Sequence, residues 1–139
     1  MAYGMVDRRA IDPATVFPSA VHGFPQAVAV AGGRTVYVSG QVAWNAERRL
    51  VGGRDLAAQA RHAFGNVVRV VEAAGGTRAS IVSVRIYVVD YRPEHAAAIG
   101  TAFREAFAAG SEPAATWIGV AALADPDLLI EIEAIAVVD

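Results

Sequence analysis

Apolar residues follow two different periods along this chain, and these periods divide it into strands and helices. Alternating or β-branched apolar runs indicate strands, whereas apolar residues spaced three and four apart indicate helices. A stripe of the second kind runs from residue 54 to residue 74 and includes Leu56, Phe64 and Val71. The predicted elements in chain order are strands 26–31 and 35–41, helix 54–74, strand 80–90, helix 93–109, and strands 114–123 and 129–138.

Glycine pairs and prolines mark the joints between these elements. Gly32-Gly33 predicts a tight hairpin turn that pairs the first two strands, and Gly75-Gly76 predicts the end of the first helix. Residues 1–25 contain three prolines and show no sustained period. We therefore assign residues 1–23 to an irregular lead-in of a single domain that spans residues 1–139.

The order β-β-α-β-α-β-β predicts an α+β fold, with one antiparallel or mixed sheet and both helices on one of its faces. The strands are apolar on both parities, as in the run LLIEIEAIAVV at 128–138. Two helices cover only one face, so the second apolar face needs another cover. We expect a further copy of the same chain to supply it, and the hydrophobic content of 55% agrees with this expectation.

The composition excludes several classes of chemistry. The 139 residues contain no cysteine, which rules out disulfides and thiolate catalysis. All 12 basic residues are arginine, so no lysine can form a Schiff base. A formal net charge of −2 argues against binding to a nucleic-acid backbone. We see neither a signal peptide nor an apolar run long enough to cross a membrane, and we expect a cytoplasmic protein.

Three motifs in this order resemble the Rid family, the YjgF-like reactive intermediate deaminases. They are VYVSGQ at 36–41, VVEAAGG at 70–76 and EIEAIAV at 131–137, supported by EPAATWIGVAAL at 112–123. The resemblance implies a chorismate-mutase-like fold and a homotrimer, whose sheets face inward as a barrel-like core with small-molecule clefts between subunits. It also implies hydrolysis of reactive imines and enamines, such as 2-aminoacrylate, without a metal or an organic cofactor.

The resemblance carries some site residues onto this sequence and leaves others unmatched. Glu131 matches the acid that positions the attacking water, and Ser39 with Gly40 matches a strand-end Ser-Gly that offers a hydroxyl and a backbone N–H. The arginine that binds the substrate carboxylate in deaminating members is replaced here by Ala115. The family tyrosine matches Phe24, and remaining substrate-binding candidates are Gly100, which stands where the family has asparagine, and Thr116 and Trp117.

Several of these residues also have purely structural interpretations. Ser39 can satisfy backbone where a strand becomes a loop, and Glu131 can form an ion pair with Arg85 instead of lining a cleft. Arg85 can replace the missing anion binder or can pair with Glu131 or Glu133. Trp117 and Trp44 can line a pocket or pack in the core of a trimer. His22 is the one histidine considered for acid–base work, and no residues have metal-ligand spacing.

The sequence therefore predicts a divergent member of the family that lacks the carboxylate-binding arginine. The first hypothesis is a trimer whose inter-subunit clefts bind a small molecule other than the usual amino-acid-derived imine, and which hydrolyses an imine or enamine other than 2-aminoacrylate. The second is a binding or scavenging protein without turnover. The third is the ribonuclease activity often attributed to the family, which the acidic net charge disfavours.

Overall fold

The structure, a computed structural model, describes residues 4–139. Each predicted element is present in the predicted order, and one additional strand precedes them. Short 3-10 turns at Ser19–His22, Arg78–Ser80 and Pro93–His95 lie between the longer elements. The strands and helices are β1 (Asp7–Ile11), β2 (Ala27–Ala31), β3 (Arg34–Gln41), α1 (Leu56–Ala73), β4 (Ile81–Val89), α2 (Ala96–Ala106), β5 (Ala114–Val120) and β6 (Ile130–Val138).

The main sheet has four strands in the order β3-β6-β4-β5. The strand β6 is antiparallel to both β3 and β4, whereas β4 and β5 are parallel. Each parallel connection, from β3 to β4 and from β4 to β5, passes through a helix, and both helices pack together on one face of the sheet. The prediction of an α+β fold with a mixed sheet and two helices is confirmed.

The prediction of a single sheet with a β2–β3 hairpin is wrong. The strand β2 pairs with β1 in a separate two-stranded ribbon, in antiparallel register from Asp7–Ala31 to Ile11–Ala27. Gly32 and Gly33, with φ of +77° and +71°, connect β2 to β3, but the two strands do not pair across this connection. The lead-in is accordingly not irregular throughout, because residues 7–11 supply the partner of β2. Residues 1–3 of the lead-in lie outside the described residues.

The core lies between the helices and the covered face of the sheet. Three aromatic rings meet there, with centroids 6.0 Å apart for Phe64 and Phe103, 5.7 Å for Phe64 and Phe107, and 4.9 Å for Phe103 and Phe107. Ile130 and Ile132 on β6 are fully buried beneath the helices. Burial of each such side chain is worth about 1.5–3 kcal/mol, so this layer fixes where the start of β6 lies.

The opposite face of the sheet carries a different set of side chains. Tyr37 is 79% exposed there, and Arg85 and Glu133 lie opposite each other on β4 and β6. Ile135 adds an apolar position beside Tyr37. Among residues 4–139 no element covers Tyr37, and cover of this face by a second copy remains a prediction.

Candidate functional site

The Glu131 carboxylate lies directly against Gly40. A Cβ atom built on Gly40 would fall 2.6 Å from Oε2 of Glu131, which is closer than non-bonded atoms approach. Glycine at this position therefore lets the start of β6 place its carboxylate over the end of β3. Any larger residue at position 40 would displace the carboxylate.

A break in the β3–β6 ladder forms the wall beside this carboxylate. Val38 pairs with Ala134 and the next pairing is Gln41 with Ile132, so Ser39 and Gly40 form a β-bulge between them. Ser39 is exposed, and its carbonyl accepts a hydrogen bond of 3.1 Å from Nε2 of Gln41. Gly40 of this bulge is the residue that faces Glu131, whereas Ser39 beside it is not among the residues that line the space around the carboxylate.

A cavity of about 270 Å³ opens beside Glu131. Its wall is held by Asn66, whose Nδ2 donates to the carbonyls of Val42 (2.9 Å) and Trp44 (3.0 Å). Sequence reasoning did not single out Asn66, because an asparagine on a helix has no distinctive spacing. The cavity is lined by Gly40, Gln41, Val42, Trp44, Asn45, Asn66, Ala124, Leu128 and Glu131.

Glu131 does not pair with Arg85. The guanidinium of Arg85 faces Glu133 instead, with Nη1 and Oε1 3.8 Å apart. Within residues 4–139 the Glu131 carboxylate makes no hydrogen bond or ion pair. The carboxylate is thus free to accept a hydrogen bond from a water or a ligand in the cavity, whereas Arg85 has the structural role that the sequence offered as its alternative.

The other matched residues gather elsewhere in the chain. Phe24, Ala115 and Trp117 are half-buried and pack against the hydrophobic core. The neighbouring Thr116 is exposed and lies opposite Arg85 in the β4–β5 ladder. The indole Nε1 of Trp117 is buried without a hydrogen-bond partner. These residues are not part of the wall that surrounds Glu131.

An arginine that sequence analysis overlooked lies beside this second group. A Cβ atom on Gly100 would fall 3.3 Å from Nη1 of Arg104, and one on Gly23 would fall 3.7 Å from Nε of Arg104. The guanidinium therefore lies across the position where the family has asparagine, next to the residue that precedes Phe24. The ring of His22 stacks on Phe24 with centroids 6.2 Å apart. The sequence signal that could have identified Arg104 is Gly100, one helical turn earlier, because a glycine there leaves room for the arginine side chain.

One chain does not bring the two groups into one site. Ser39 and Gly40 lie on β3, whereas Ala115 lies on β5, and these strands are opposite edges of the four-stranded sheet. Three strand spacings separate them, which is about 14 Å. A cleft that used both groups would need one group from each of two copies.

A polar network crosses the open face of the sheet. The hydroxyl of Tyr87 donates a hydrogen bond to Oε1 of Glu133, which also faces Arg85. This hydrogen bond raises the pKa of Tyr87, because it holds the phenol proton; burial and the charge of Glu133 act in the same direction, while Arg85 opposes them.

We expect one tyrosine to titrate later than the others when phenolate absorbance is followed through alkaline pH. Because the pKa of Tyr87 is raised in the folded chain, the associated stability is present below the usual tyrosine pKa of about 10 and is lost as pH rises through the folded value. The late titration should disappear in Tyr87→Phe and should move to lower pH in Glu133→Gln. A late titration that persists in Tyr87→Phe would contradict the assignment.

Two further searches of the described part of the chain bear on ligand and membrane binding. Among residues 4–139, no cluster of three histidine, aspartate or glutamate side chains could hold a metal ion. No helix in this part is long and apolar enough to span a bilayer.

Comparison with known proteins gives one family. Residues 15–138 match the family model described as Endoribonuclease L-PSP. The Rid-family protein YyfB from Yersinia pestis is 46% identical, with 94% of this chain and 98% of that chain covered and a TM-score of 0.90. RidA from an Antarctic Psychrobacter is 32% identical, with 91% and 94% covered and a TM-score of 0.68. A YjgF-family protein from Mycobacterium tuberculosis is also 32% identical, with 95% and 100% covered and a TM-score of 0.64.

Proposed function

We propose that this chain, which belongs to the Endoribonuclease L-PSP family of YjgF and Rid proteins, hydrolyses a small imine or enamine other than 2-aminoacrylate. The reaction would take place in clefts between the subunits of a homotrimer. The observation that carries this proposal is the unpaired Glu131 carboxylate, which lies against Gly40 in a cavity of about 270 Å³.

The chemistry needs one base and one polarising group. Glu131 accepts a hydrogen bond from a water and takes its proton as the oxygen attacks the C=N carbon. The first proton then passes to the nitrogen, which gives a carbinolamine. Its hydroxyl proton is transferred to the nitrogen in turn, so that the C–N bond breaks and ammonia leaves as the carbonyl forms. The Ser39 hydroxyl and the Gly40 N–H can hydrogen-bond the substrate at the bulge. The balance is one imine and one water giving one carbonyl compound and one ammonia.

The charges around the site favour a substrate that has no carboxylate next to β5, where deaminating family members bind it with an arginine. Ala115 supplies no guanidinium, and Arg85 is committed to Glu133. The side chain of Arg104 lies beside Gly100 and Gly23, so an anionic group would be bound from α2 rather than from β5. We therefore assign a neutral imine as the substrate class. An imino acid would also fit if its carboxylate reached Arg104 on α2.

We expect slow hydrolysis of 2-aminoacrylate-type imino acids, about 10- to 100-fold below an arginine-bearing family member. The lost charge-assisted hydrogen bonds are worth about 1.5–3 kcal/mol, and each 1.4 kcal/mol is a factor of ten. The measurement is keto-acid and ammonia release from imines that an amino-acid oxidase generates in situ. Ala115→Arg should gain activity toward these acids, and Ala115→Gln adds bulk without charge as its control.

Two results would contradict this assignment of charge. Equal rates for the wild type and an arginine-bearing relative would show that the cleft already binds the carboxylate. If Arg104→Gln then abolished that activity, Arg104 would be the carboxylate ligand. A gain in Ala115→Gln as large as in Ala115→Arg would remove charge as the explanation.

The trimer is testable by itself. The open face of the sheet, where Tyr37 is 79% exposed, and the separation of Gly40 from Ala115 both favour a site shared between copies. We expect light scattering at micromolar concentration to give three times the chain mass of 14.5 kDa. A monomeric or dimeric mass would contradict the trimer and, with it, the shared cleft.

A binding protein without turnover is the second candidate. It is favoured by Phe24, Gly100 and Ala115, which stand where deaminating members have polar side chains. A panel of neutral and acidic imines separates the candidates, because only the enzyme releases ammonia. Saturable binding of a keto or imine analogue without ammonia release from any panel member would favour the binding protein.

A further inference from the structure

The strand β3 is an unpaired edge of the main sheet. Within residues 4–139 it pairs only with β6, and its outer edge has no partner strand. An edge of eight residues leaves backbone N–H and C=O groups open to pairing with another strand. Folded proteins usually cover or block such an edge, and β3 carries no proline that would block it.

The β1–β2 ribbon has the complementary property. The strand β2 pairs on one side with β1, and its other edge has no partner among the described residues. The ribbon and the segment that joins its strands expose the large apolar side chains of Ile11, Val16, Phe17 and Val21, and Met5, also exposed, lies just before β1. Apolar exposure concentrated on one short segment indicates a surface that another chain covers.

The sequence favours antiparallel pairing of β2 with β3. The two strands are separated by Gly32-Gly33 alone, a loop length and composition typical of a hairpin. Pairing across this turn would place Ala31 opposite Arg34 and Val28 opposite Tyr37. Among residues 4–139 the two strands do not pair with each other, so neither β2 nor β3 has a partner strand on the edge that a hairpin would use.

We propose that β2 of one copy pairs with the β3 edge of a second copy, so that the subunits exchange their β1–β2 ribbons. The exchange satisfies the two open edges and covers the exposed apolar segment. In the proposed homotrimer each copy would give its ribbon to one neighbour and receive one from the other, which is a head-to-tail contact that closes as a ring. The proposal needs self-association but no catalytic activity, so it can fail or succeed independently of imine hydrolysis.

The absence of cysteine makes the exchange directly testable. Val28→Cys and Tyr37→Cys are introduced in separate chains, which are mixed, refolded together and oxidised. A disulfide between them can then form only between copies. Positions directly opposite on paired strands bring Cβ atoms to about 4.5–5.5 Å, within small adjustments of a disulfide. Val30→Cys with Tyr37→Cys is the matched control, displaced by two residues on the same face, where the separation is about 7–8 Å.

Each outcome decides the proposal. A heterodisulfide for positions 28 and 37, at least tenfold above that for positions 30 and 37, supports exchange. Equal cross-linking of both pairs, or none, overturns it. When both cysteines are in one chain, exchange gives covalent oligomers on a non-reducing gel, whereas a disulfide confined to monomers shows a closed hairpin and overturns exchange.

A hinge variant provides a second measurement. A Cβ on Gly32 would fall 2.2 Å from the carbonyl oxygen of Met5, so Gly32→Asn cannot keep the open arrangement without a backbone shift. Asn-Gly instead favours the two-residue hairpin turn. In the chain with both cysteines, Gly32→Asn should convert covalent oligomers into internally cross-linked monomers. Unchanged covalent oligomers would contradict the open hinge. Amide hydrogen exchange of the wild type tests the pairing without any variant, because a paired β3 edge should be protected from exchange.

Discussion

Replacing Glu131 by glutamine should lower imine hydrolysis by about 100-fold or more on the best substrate of the panel. Glutamine keeps the size and the hydrogen-bonding oxygen of the side chain, but it cannot take the proton of the attacking water. General-base catalysis contributes about 10²–10⁴ to such steps. The expected loss is in kcat, since the substituted side chain still fills the wall of the cavity beside Gly40.

Glu133→Gln is the matched control for this substitution. Glu133 lies two residues further along β6, but it faces Arg85 and Tyr87 on the open face and does not line the Glu131 cavity. We expect Glu133→Gln to retain most of the activity, with the shift in Tyr87 titration described above. Activity that is unaffected by Glu131→Gln would remove Glu131 from the mechanism. Loss of activity in both variants together with loss of the trimer would point to assembly instead.

The helices and most strands were predictable because one period dominates each of them. The stripe predicted over residues 54–74 is the helix Leu56–Ala73, and the strand predicted at 129–138 is Ile130–Val138. Apart from Gln59 the buried positions of α1 lie on the apolar stripe, and from Ile130 to Ala136 the buried positions of β6 alternate. The predicted helix 93–109 is α helix only over Ala96–Ala106, because Pro93–His95 forms a 3-10 turn.

The arrangement of β1 and β2 was not predictable from local pattern. The alternation of β2 and the glycine pair after it are equally compatible with pairing to β3 in the same chain or to another strand. The β1 sequence DRRAI has only two apolar residues and gives no clear strand signal. Its placement depends instead on Arg8, whose guanidinium donates to the carbonyls of Ser111 (2.8 Å) and Glu112 (2.9 Å) far along the chain.

The part of the candidate site around Glu131 could be located from the sequence, because its residues lie on predicted strands and next to a glycine. Gly40 and Glu131 meet at the β-bulge that also contains Ser39, and the functional roles of the three residues remain a prediction. Arg104 was missed, since an exposed arginine on a helix resembles any solvated position. The anchor that holds the loop before Glu131 was missed as well, because a single glutamine in a helix carries no distinctive pattern.

That anchor is Gln59, which is fully buried on α1. Its Nε2 donates to the carbonyls of Gly53 (2.8 Å) and Asp127 (2.9 Å), and its Oε1 accepts from the N–H of Leu129 (2.9 Å). One side chain thus ties the start of α1 to the segment that leads into β6. Since Leu129 is two residues before Glu131, these hydrogen bonds also position the Glu131 carboxylate.

Gln59→Leu should destabilise the fold by about 3 kcal/mol. The substitution keeps the volume but leaves two carbonyls and one N–H without their partner, and each unsatisfied group costs about 1–3 kcal/mol when water cannot replace the bond. That loss is a large fraction of the usual 5–15 kcal/mol stability of a domain. Gln59→Glu should cost at least as much, because a carboxylate oxygen would then face the two carbonyls. The measurement is urea unfolding with the slope m compared between variants.

Gln26→Leu separates the effect of burial from the loss of a glutamine. Gln26 also donates to a carbonyl, that of Phe17 (2.7 Å), but this hydrogen bond is exposed, so water can replace it. We expect its removal to change stability by no more than about 0.5 kcal/mol. Gln59→Leu should also lower imine hydrolysis at temperatures where the chain is still folded, because the segment before Glu131 loses its anchor. A loss below about 1 kcal/mol in Gln59→Leu would mean that water enters and replaces the three hydrogen bonds, and that Gln59 does not hold Glu131 in place.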